Sequence, residues 1–420
     1  MTISRSALAI ALAGFVFTGS AAAQIYGGAQ KKEKEEVVEK EAQSSEGRKL
    51  KISPKAQKAI VELQNAVKAK DTAAIPGKLA AAQKVAQSPD EKFFVAVNQT
   101  QAALDANDLP GIRAGLDAME ASGGADNKIL VSQYTNLGIK YYEAKQTDQA
   151  AAAIEKAVAL DANDANAVKM LGSIRDAQGR KAEAITLLQK SLALSKAAGR
   201  PPKENDYKFA AKLAYEAKAP AAADITRAWL ADYPNPTNWR DALRIYRDVN
   251  ALDGEAKIDV MRLARAANAL NGEGDYFGYV SELVDYGHFN EAKAVLDEGA
   301  AKKAIDPAKT VFRQFAPKLA KAQTRAAIDT SAKAAAAGTG TAALKAGDAL
   351  YGVGAYAEAA ALYKAAAAKG VSDTNLASLR LGMALARAGD KAGAAAALNA
   401  VTGPHSATAK YWLVWLNSQV

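Results

Sequence analysis

The residue types that carry most enzyme chemistry are scarce in this sequence. It has two histidines, His288 and His405, and no cysteine among 420 residues. No His-x-x-x-His or Glu-x-x-His pair occurs, so histidine-based metal binding and histidine-assisted nucleophilic attack lack their parts. The absence of cysteine also excludes disulfides, thiolate catalysis and cysteine-ligated zinc. We expect both histidines to lie at the surface without a catalytic role.

Two glycine-rich stretches and several acidic pairs are the remaining chemical candidates. "GTGT" (338–341) and "NGEGDYFGY" (271–279) lack the Gly-Lys-Ser/Thr sequence and the preceding strand that a phosphate-binding loop needs. Acidic pairs such as Asp105 and Asp108 flank helix ends, where Asp favours capping. A hydrolase that uses only two carboxylates stays open on residue type, although no acidic cluster indicates a cleft. We therefore predict no catalytic residue, no cofactor and no metal ligand.

The elements that would position any site are helices. Half of the residues are apolar, only 7% are aromatic, and runs of Ala recur throughout. Ala has the highest helix propensity, and no stretch alternates apolar and polar residues as a strand would. The net charge of +9 is interspersed along the chain, which favours solubility and argues against a nucleic-acid partner. The sequence predicts an all-α protein.

The pattern of the first 52 residues predicts a signal peptide followed by a linker. Residues 1–23 combine Arg5, a short apolar run and the small-residue site Ala21-Ala22-Ala23, which is typical of a secretory signal peptide cut after Ala23. The apolar run is too short to cross a bilayer, and no later segment reaches that length. Residues 24–52 are rich in alternating Lys and Glu, which predicts a charged, disordered linker. The expected location is therefore the bacterial periplasm.

The rest of the chain repeats with a regular period. A small residue opens the second helix of each predicted hairpin, and eight of these residues follow one another at spacings of 33 to 38 residues. Two more hairpins precede them, giving about ten from Ser53 to Val401 and a final helix, a period that indicates a helical solenoid. The predicted openers are Ala74, Gly111, Ala150, Ala184, Ala222, Ala256, Ala292, Ala326, Ala359 and Ala394.

The best-preserved units resemble the tetratricopeptide repeat family. That pattern sets Leu-Gly early in the first helix, as at Leu137-Gly138 and Leu171-Gly172, with Tyr141 three residues on and Arg175 in the corresponding place. The resemblance is strong over 127–199, fair over 341–400 and poor over 205–330, where the period remains but the Leu-Gly pair is lost. It implies a right-handed α-solenoid of about ten helix-turn-helix repeats with a C-terminal capping helix.

Breaks in the array predict its organisation. "ASGGADN", "AAGRPPKEND" and "AAGTGTA" interrupt the helical pattern, the second because Pro cannot continue a helix. The predicted segments are a signal peptide (1–23), a linker (24–52), N-terminal hairpins that could form a separate lobe (53–122), regular repeats (127–199), degenerate repeats (200–340) and C-terminal repeats with the capping helix (341–420).

The resemblance implies a groove, lined by the first helices, that binds a protein or peptide. The clamp that some members use for a peptide carboxylate needs Lys three residues before the Gly and Asn one after it. Thr135 and Ile139 stand there in the first regular repeat, and Lys169 and Ser173 in the second, so that clamp is incomplete. The implied groove positions are Ser132, Thr135, Ile139, Tyr142, Asn166, Lys169, Ser173 and Asp176.

The final helix, "SATAKYWLVWLNSQV", carries an apolar stripe with Tyr411, Trp412 and Trp415. Packing on the last hairpin accounts for such a stripe. A docking face for a partner or a membrane surface is the alternative, because wide apolar patches often mark interfaces.

Two functions remain open from the sequence. The first is a non-catalytic exported scaffold for protein–protein interaction in the bacterial envelope. The second is a polysaccharide- or peptidoglycan-binding factor in envelope assembly or export, in which Tyr207, Tyr215, Trp229 and Trp239 would stack on sugars.

Overall fold

The structure is a computed structural model that describes residues 51–419. The predicted signal peptide and almost all of the predicted linker lie outside the described residues. Within 51–419 the chain forms helices and no strand, as predicted. It divides into two compact units, unit 1 up to Asn205 and unit 2 from Asp206, and this boundary falls within the Pro-containing break at 197–206.

Unit 1 consists of four helical hairpins, numbered 1 to 4 in chain order. Their helices are α1 (Pro54–Lys68), α2 (Ile75–Val85), α3 (Pro89–Asp105), α4 (Leu109–Ser122), α5 (Asn127–Glu143), α6 (Thr147–Leu160), α7 (Ala165–Ala177) and α8 (Lys181–Ala197). One apolar core runs from Phe93 in hairpin 2 to Ile174 in hairpin 4. Hairpin 2 therefore shares this core with the repeats that follow, whereas hairpin 1 packs in a separate apolar cluster with Phe94 and Val95 of α3.

Unit 2 consists of hairpins 5 to 10 and a last helix. Hairpins 5 to 7 are formed by α9 (Glu204–Glu216), α10 (Ala221–Asp232), α11 (Pro236–Val249), α12 (Gly254–Ala266), α13 (Gly272–Asp285) and α14 (Phe289–Ala301). Hairpin 8 has α15 (Thr310–Arg313), α16 (Ala316–Leu319) and α17 (Arg325–Ala337). Hairpins 9 and 10 and the last helix are α18 (Gly340–Gly352), α19 (Tyr356–Lys369), α20 (Thr374–Ala388), α21 (Lys391–Asn399) and α22 (Ser406–Ser418).

The predicted hairpin openers are confirmed. Nine of the ten small residues lie within the first four positions of a second helix, and Ala74 directly precedes α2. Ala150, Ala184 and Ala359 are completely buried, since the two helices of a hairpin cross closely at this point. The spacing of small residues therefore located every hairpin.

The glycine of the Leu-Gly pair is also explained by close packing. A Cβ atom added at Gly138 in α5 would lie 2.4 Å from Cδ1 of Ile154 in α6, and one at Gly382 in α20 would lie 2.5 Å from Cγ of Leu398 in α21. Both distances are shorter than a van der Waals contact. Glycine is required here because the second helix occupies the space of a side chain.

Hairpin 8 interrupts the array. Its first helix is broken into α15 and α16, each four residues long, with Pro317 in the first turn of α16. Beyond it the chain turns back over the earlier part of unit 2. The Tyr411 hydroxyl of α22 lies 2.6 Å from the Thr226 hydroxyl of α10, and Arg380 of α20 lies 3.3 Å from Asp259 of α12.

Helix α18 likewise packs directly on α14. Hairpins 9 and 10 and α22 thus form a second layer over hairpins 7, 6 and 5, in that order. Stacked neighbours alone would give an open array, so this reversal is the main departure of unit 2 from a simple solenoid.

Candidate functional site

The groove predicted from the family pattern lies in unit 1, on the first helices of hairpins 3 and 4. Asp126 and Asp164 begin α5 and α7, since each side chain accepts a backbone N–H in the first turn. Helical spacing then places the eight predicted positions along these two helices. Six of the eight residues are exposed or half-buried, and we call these six the groove face: Ser132, Ile139, Tyr142, Asn166, Lys169 and Asp176.

The other two predicted groove residues are buried. Thr135 and Ser173 are only 4% and 8% exposed. The Thr135 hydroxyl donates to the carbonyl oxygen of Val131 at 2.7 Å, and the Ser173 hydroxyl donates to that of Lys169 at 3.2 Å. A bond to the carbonyl four residues back satisfies the hydroxyl within its own helix. Thr135 and Ser173 therefore belong to the packing of unit 1, not to its groove face.

The groove face combines apolar and charged groups. Ile139 and Tyr142 pack against the core of unit 1 and keep part of their surface open. On the next first helix, Lys169 and Asp176 are half-buried and Asn166 is exposed. An apolar side chain of a bound peptide can pack on Ile139 and Tyr142, while the peptide backbone and polar groups contact Asn166, Lys169 and Asp176.

Arg175 is a residue whose role the sequence did not reveal. It stands where the pattern has Tyr, and it is 7% exposed. Its guanidinium forms an ion pair with Glu155 of α6, lies 3.6 Å from Glu183 of α8 and donates to Gln178 at 2.7 Å. It joins hairpins 3 and 4 from behind the groove face. The indication in the sequence was the charged residue at a position where the family has Tyr, because an arginine that is buried there requires acidic partners.

The groove positions that correspond to Ile139 and Tyr142 are closed in the C-terminal repeats. The family spacing, applied to hairpins 9 and 10, places Asp348 and Tyr351 on α18 and Met383 and Ala386 on α20 at the positions of Ile139 and Tyr142. All four are at most 7% exposed, whereas their counterparts Ile139 and Tyr142 in unit 1 are half-buried. The first layer of unit 2 covers these positions.

A cluster of charged side chains fills the space between the two layers. Arg262 of α12 is completely buried and lies 2.9 Å from Asp259, 2.7 Å from Glu291 and 3.6 Å from Asp348. Its guanidinium carbon is also 4.8 Å from the ring centre of Tyr351. One arginine of the first layer thus contacts carboxylates of three helices. We call the whole set the ion cluster: Glu255, Asp259, Arg262, Glu291, Asp348 and Arg380.

Arg380 of α20 provides the reciprocal contacts. It donates to Asp348 at 2.9 Å and to Asp259 at 3.3 Å, and it forms an ion pair with Glu255 at the rim. Two tyrosines complete the arrangement, since the Tyr279 hydroxyl donates to Glu291 at 2.6 Å and that of Tyr363 to Asp348 at 2.7 Å.

Pairing keeps two acidic members of the cluster, Glu255 and Glu291, ionised. Burial by itself would raise the pKa of Glu255, but the hydrogen bond from His288 and the charge of Arg380 outweigh it and lower the pKa to about 2. Burial also opposes ionisation of Glu291, and there the charge of Arg262 holds the pKa below its usual value. Both glutamates are therefore ionised near neutral pH.

The two histidines lie beside carboxylates. His288, at the start of α14, has Nε2 3.3 Å from Glu255, and His405, at the start of α22, has Nε2 2.8 Å from Asp373. Their side chains are 11% and 13% exposed, so they are less open than the sequence suggested. Between residues 51 and 419 no group of three acidic or histidine side chains is arranged to hold a metal ion.

The apolar stripe of α22 is not a docking face in this structure. Tyr411 and Trp412 are completely buried and Trp415 is 8% exposed, because the helix packs on hairpin 10 and on α10. The Tyr411 ring also lies 4.9 Å from that of Tyr246 in α11. None of the three side chains is free to meet a partner or a membrane surface. No helix in the described part of the chain is both long and apolar enough to span a bilayer.

Three of the four aromatic residues suggested for sugar stacking are also buried. Tyr207, Trp229 and Trp239 are at most 2% exposed, and Tyr215 alone is open, at 37%. One half-open ring does not make a stacking platform, so the structure gives no support to the sugar-binding alternative.

Comparison with known proteins supports the repeat assignment. A sequence model of the tetratricopeptide repeat family matches residues 135–200, which carry most of the groove face, and residues 344–407 in unit 2. No curated protein matches the chain.

Three solved structures show loose similarity. PilF of Pseudomonas aeruginosa is 14% identical, with 63% of this chain and 97% of that chain covered and a TM-score of 0.25. A tetratricopeptide repeat protein of Parabacteroides merdae is 12% identical, with 70% and 99% covered and a TM-score of 0.29. A chain of the Naa15/Naa10 complex with HypK is 13% identical, with 84% and 63% covered and a TM-score of 0.19.

Proposed function

We propose that this chain, two segments of which match the tetratricopeptide repeat model, is a non-catalytic scaffold whose groove face binds a protein or peptide partner in the bacterial cell envelope. The observation that carries the binding part is the contrast between the two matched segments. In unit 1, Ile139 and Tyr142 keep open surface, whereas the same positions in unit 2 are buried. The side chains of Ile139 and Tyr142 in hairpin 3 are thus accessible at positions that are covered in hairpins 9 and 10.

Photo-crosslinking in cells tests this binding site. A photoreactive residue at Tyr142 should yield a discrete adduct with another protein, identified by mass spectrometry. The control is the same probe at Ala159, which is exposed on the second helix α6. Equal labelling from both positions, or no protein adduct from Tyr142, would contradict binding at the groove face.

Export is supported by the sequence of residues 1–23. A positive residue, a short apolar run and three alanines follow one another as in a cleaved signal peptide. We expect the mature protein to begin at Gln24 and to fractionate with the periplasm. Amino-terminal sequencing of the protein from fractionated cells tests this, and an intact Met1 in the cytoplasmic fraction would refute it.

A further inference from the structure

The groove of the C-terminal repeats is occupied by the chain itself. We propose that the C-terminal tetratricopeptide segment, hairpins 9 and 10, is a helix-binding groove whose ligand is the protein's own α12, held in place by the ion cluster. This assigns the second segment an intramolecular role and leaves external partners to unit 1. It rests on the contacts within unit 2, not on the partner proposed for the groove face.

Helix α12, the proposed ligand, carries its charged residues on one face. Glu255, Asp259 and Arg262 are spaced by four and three residues along α12, so they project from the same face. Asp259 and Arg262 are at most 1% exposed. All three pair across the layer boundary, Glu255 and Asp259 with Arg380 and Arg262 with Asp348. The recognised feature is therefore a helix face of two carboxylates followed by a guanidinium.

Helix α18 of the groove carries complementary groups at the family's binding positions. Asp348 and Tyr351 stand on α18 where Ile139 and Tyr142 stand on α5, and both contact Arg262, at 3.6 Å and at 4.8 Å from the ring centre. An arginine over a tyrosine ring adds a cation–π contact to the ion pair.

The neighbouring helix α14 closes the groove tightly. A Cβ atom added at Gly352 of α18 would lie 2.9 Å from the backbone nitrogen of Glu291. Helices α14 and α18 therefore meet backbone to backbone, with no room for a second ligand. An external helix could enter only if hairpins 6 and 7 moved away.

Buried charges make this contact selective. An arginine or a carboxylate in the layer boundary is tolerated only when its partner is present, because a buried charge that loses its partner is strongly destabilising. A helix without charges at these three positions would remove two of the three carboxylate partners of Arg380 and the arginine partner of Glu291. The cluster thus specifies which helix can fill the groove, as polar groups do in other helix pairings.

A peptide-binding experiment on the full-length protein tests the proposal. The probe is a fluorescent peptide of residues 253–268, which carries the α12 face. Arg262→Ala in the protein weakens its own ligand, so the peptide should bind this variant about tenfold or more tighter than the wild type. It should not bind the double variant Arg262→Ala/Arg380→Ala, and a peptide with Arg262→Ala should not bind any form.

Hydrogen exchange gives an independent readout and a check on folding. In Arg262→Ala, backbone amides of α18 and α20 should exchange faster and regain protection when the peptide is added, while α5 and α7 stay unchanged. Arg244→Ala, at an arginine 58% exposed on α11, is the matched control and should change nothing. If Arg262→Ala does not fold, the isosteric Asp259→Asn takes its place with the same readouts.

Two results would overturn the proposal. One is unchanged protection of α18 and α20 in a folded cluster variant, which would show that the charges do not hold the layers together. The other is increased exchange without peptide binding or recovery, which would show that α12 is packing and not a ligand.

Discussion

At the scale of single residues, Glu91 shows how one side chain ties separate elements. It is 3% exposed and accepts backbone N–H groups from Ser53, Gln87 and Ser88 at 2.9, 2.8 and 3.0 Å. These bonds complete a capping box at the start of α3 and hold the residue before α1 against it. The hydrogen bonds from Ser53 and Gln87 lower the pKa of Glu91 to about 2.

We expect Glu91→Gln to lower the unfolding free energy of unit 1 by ~1–3 kcal/mol at pH 7, because hydrogen bonds to a buried charge are lost. The pKa in the folded protein lies below the unfolded value of 4.5, so the contribution is complete above pH 4.5 and disappears as pH falls towards 2. Urea denaturation followed by far-ultraviolet circular dichroism measures it. Glu143→Gln, at an exposed glutamate of α5, is the control. A variant difference that does not shrink below pH 4.5 would contradict the role of this ionised side chain.

Gly138 provides a second prediction at this scale. Gly138→Ala should destabilise unit 1 by ~1–3 kcal/mol, because the added methyl group overlaps Ile154. Gly278→Ala in α13 meets no atom within 4 Å and should instead stabilise unit 2, by up to ~1 kcal/mol. Urea midpoints of both variants are compared with the wild type. Removing Cδ1 by Ile154→Val should restore part of the loss, and no recovery would refute the proposed overlap.

At the scale of elements, the hairpins were predictable and their reversal was not. Small residues at each crossing repeat with the period of the array, so local sequence located Ala150 and Ala184 correctly. The bonds that fold unit 2 back join residues 121 and 185 positions apart, such as Arg380 to Asp259 and Tyr411 to Thr226. Contacts between such distant residues produce no periodic pattern in the sequence. A charged residue in an amphipathic helix also looks the same in the sequence whether it forms a buried ion pair or is exposed to solvent.

The groove face was predictable only in part for a related reason. Helical spacing identifies which positions share a face, but the depth of each side chain depends on what packs beside it. Thr135 and Ser173 are buried by neighbouring helices, while Ile139 in the same series stays partly open. Burial at hairpins 9 and 10 depends on α12 and α14, which lie far away in the sequence.

The hydroxyl contact between α22 and α10 gives a prediction about these two elements. Tyr411→Phe should lower the stability of unit 2 by ~0.5–1.5 kcal/mol, because the buried bond of 2.6 Å to Thr226 is lost. A double-mutant cycle with Thr226→Val should show a coupling energy of similar size. Tyr215→Phe, at an exposed tyrosine, serves as control. Strict additivity of the two substitutions would exclude a direct contact between α22 and α10.

At the scale of the whole molecule, acid should affect unit 2 through its ion cluster. The pKa of Glu255 is about 2 in the folded protein, below the unfolded value of 4.5, so its stabilisation is present above pH 4.5 and is lost as pH falls towards 2. Glu291 is shifted in the same direction. All four tryptophans, at 229, 239, 412 and 415, lie in unit 2, so their fluorescence reports on this unit alone.

We therefore expect the urea midpoint measured by tryptophan fluorescence to fall between pH 4.5 and pH 2 and to stay level between pH 6 and pH 8. Glu255→Gln should be less stable at neutral pH and should show a smaller fall in acid. A midpoint that is equally pH-dependent in both proteins would show that Glu255 does not contribute to acid sensitivity.

The layered arrangement of unit 2 also limits how such a chain can evolve. An open solenoid can gain or lose a repeat by duplication or deletion, because each unit meets only its neighbours. Here hairpin 5 faces α22, hairpin 6 faces hairpin 10 and hairpin 7 faces hairpin 9. One added hairpin would shift the hairpins of the second layer relative to their partners in the first layer, so that Arg380 would face a helix other than α12. Copy number in this half of the protein is thus fixed by its own contacts, whereas unit 1 stays free to lengthen.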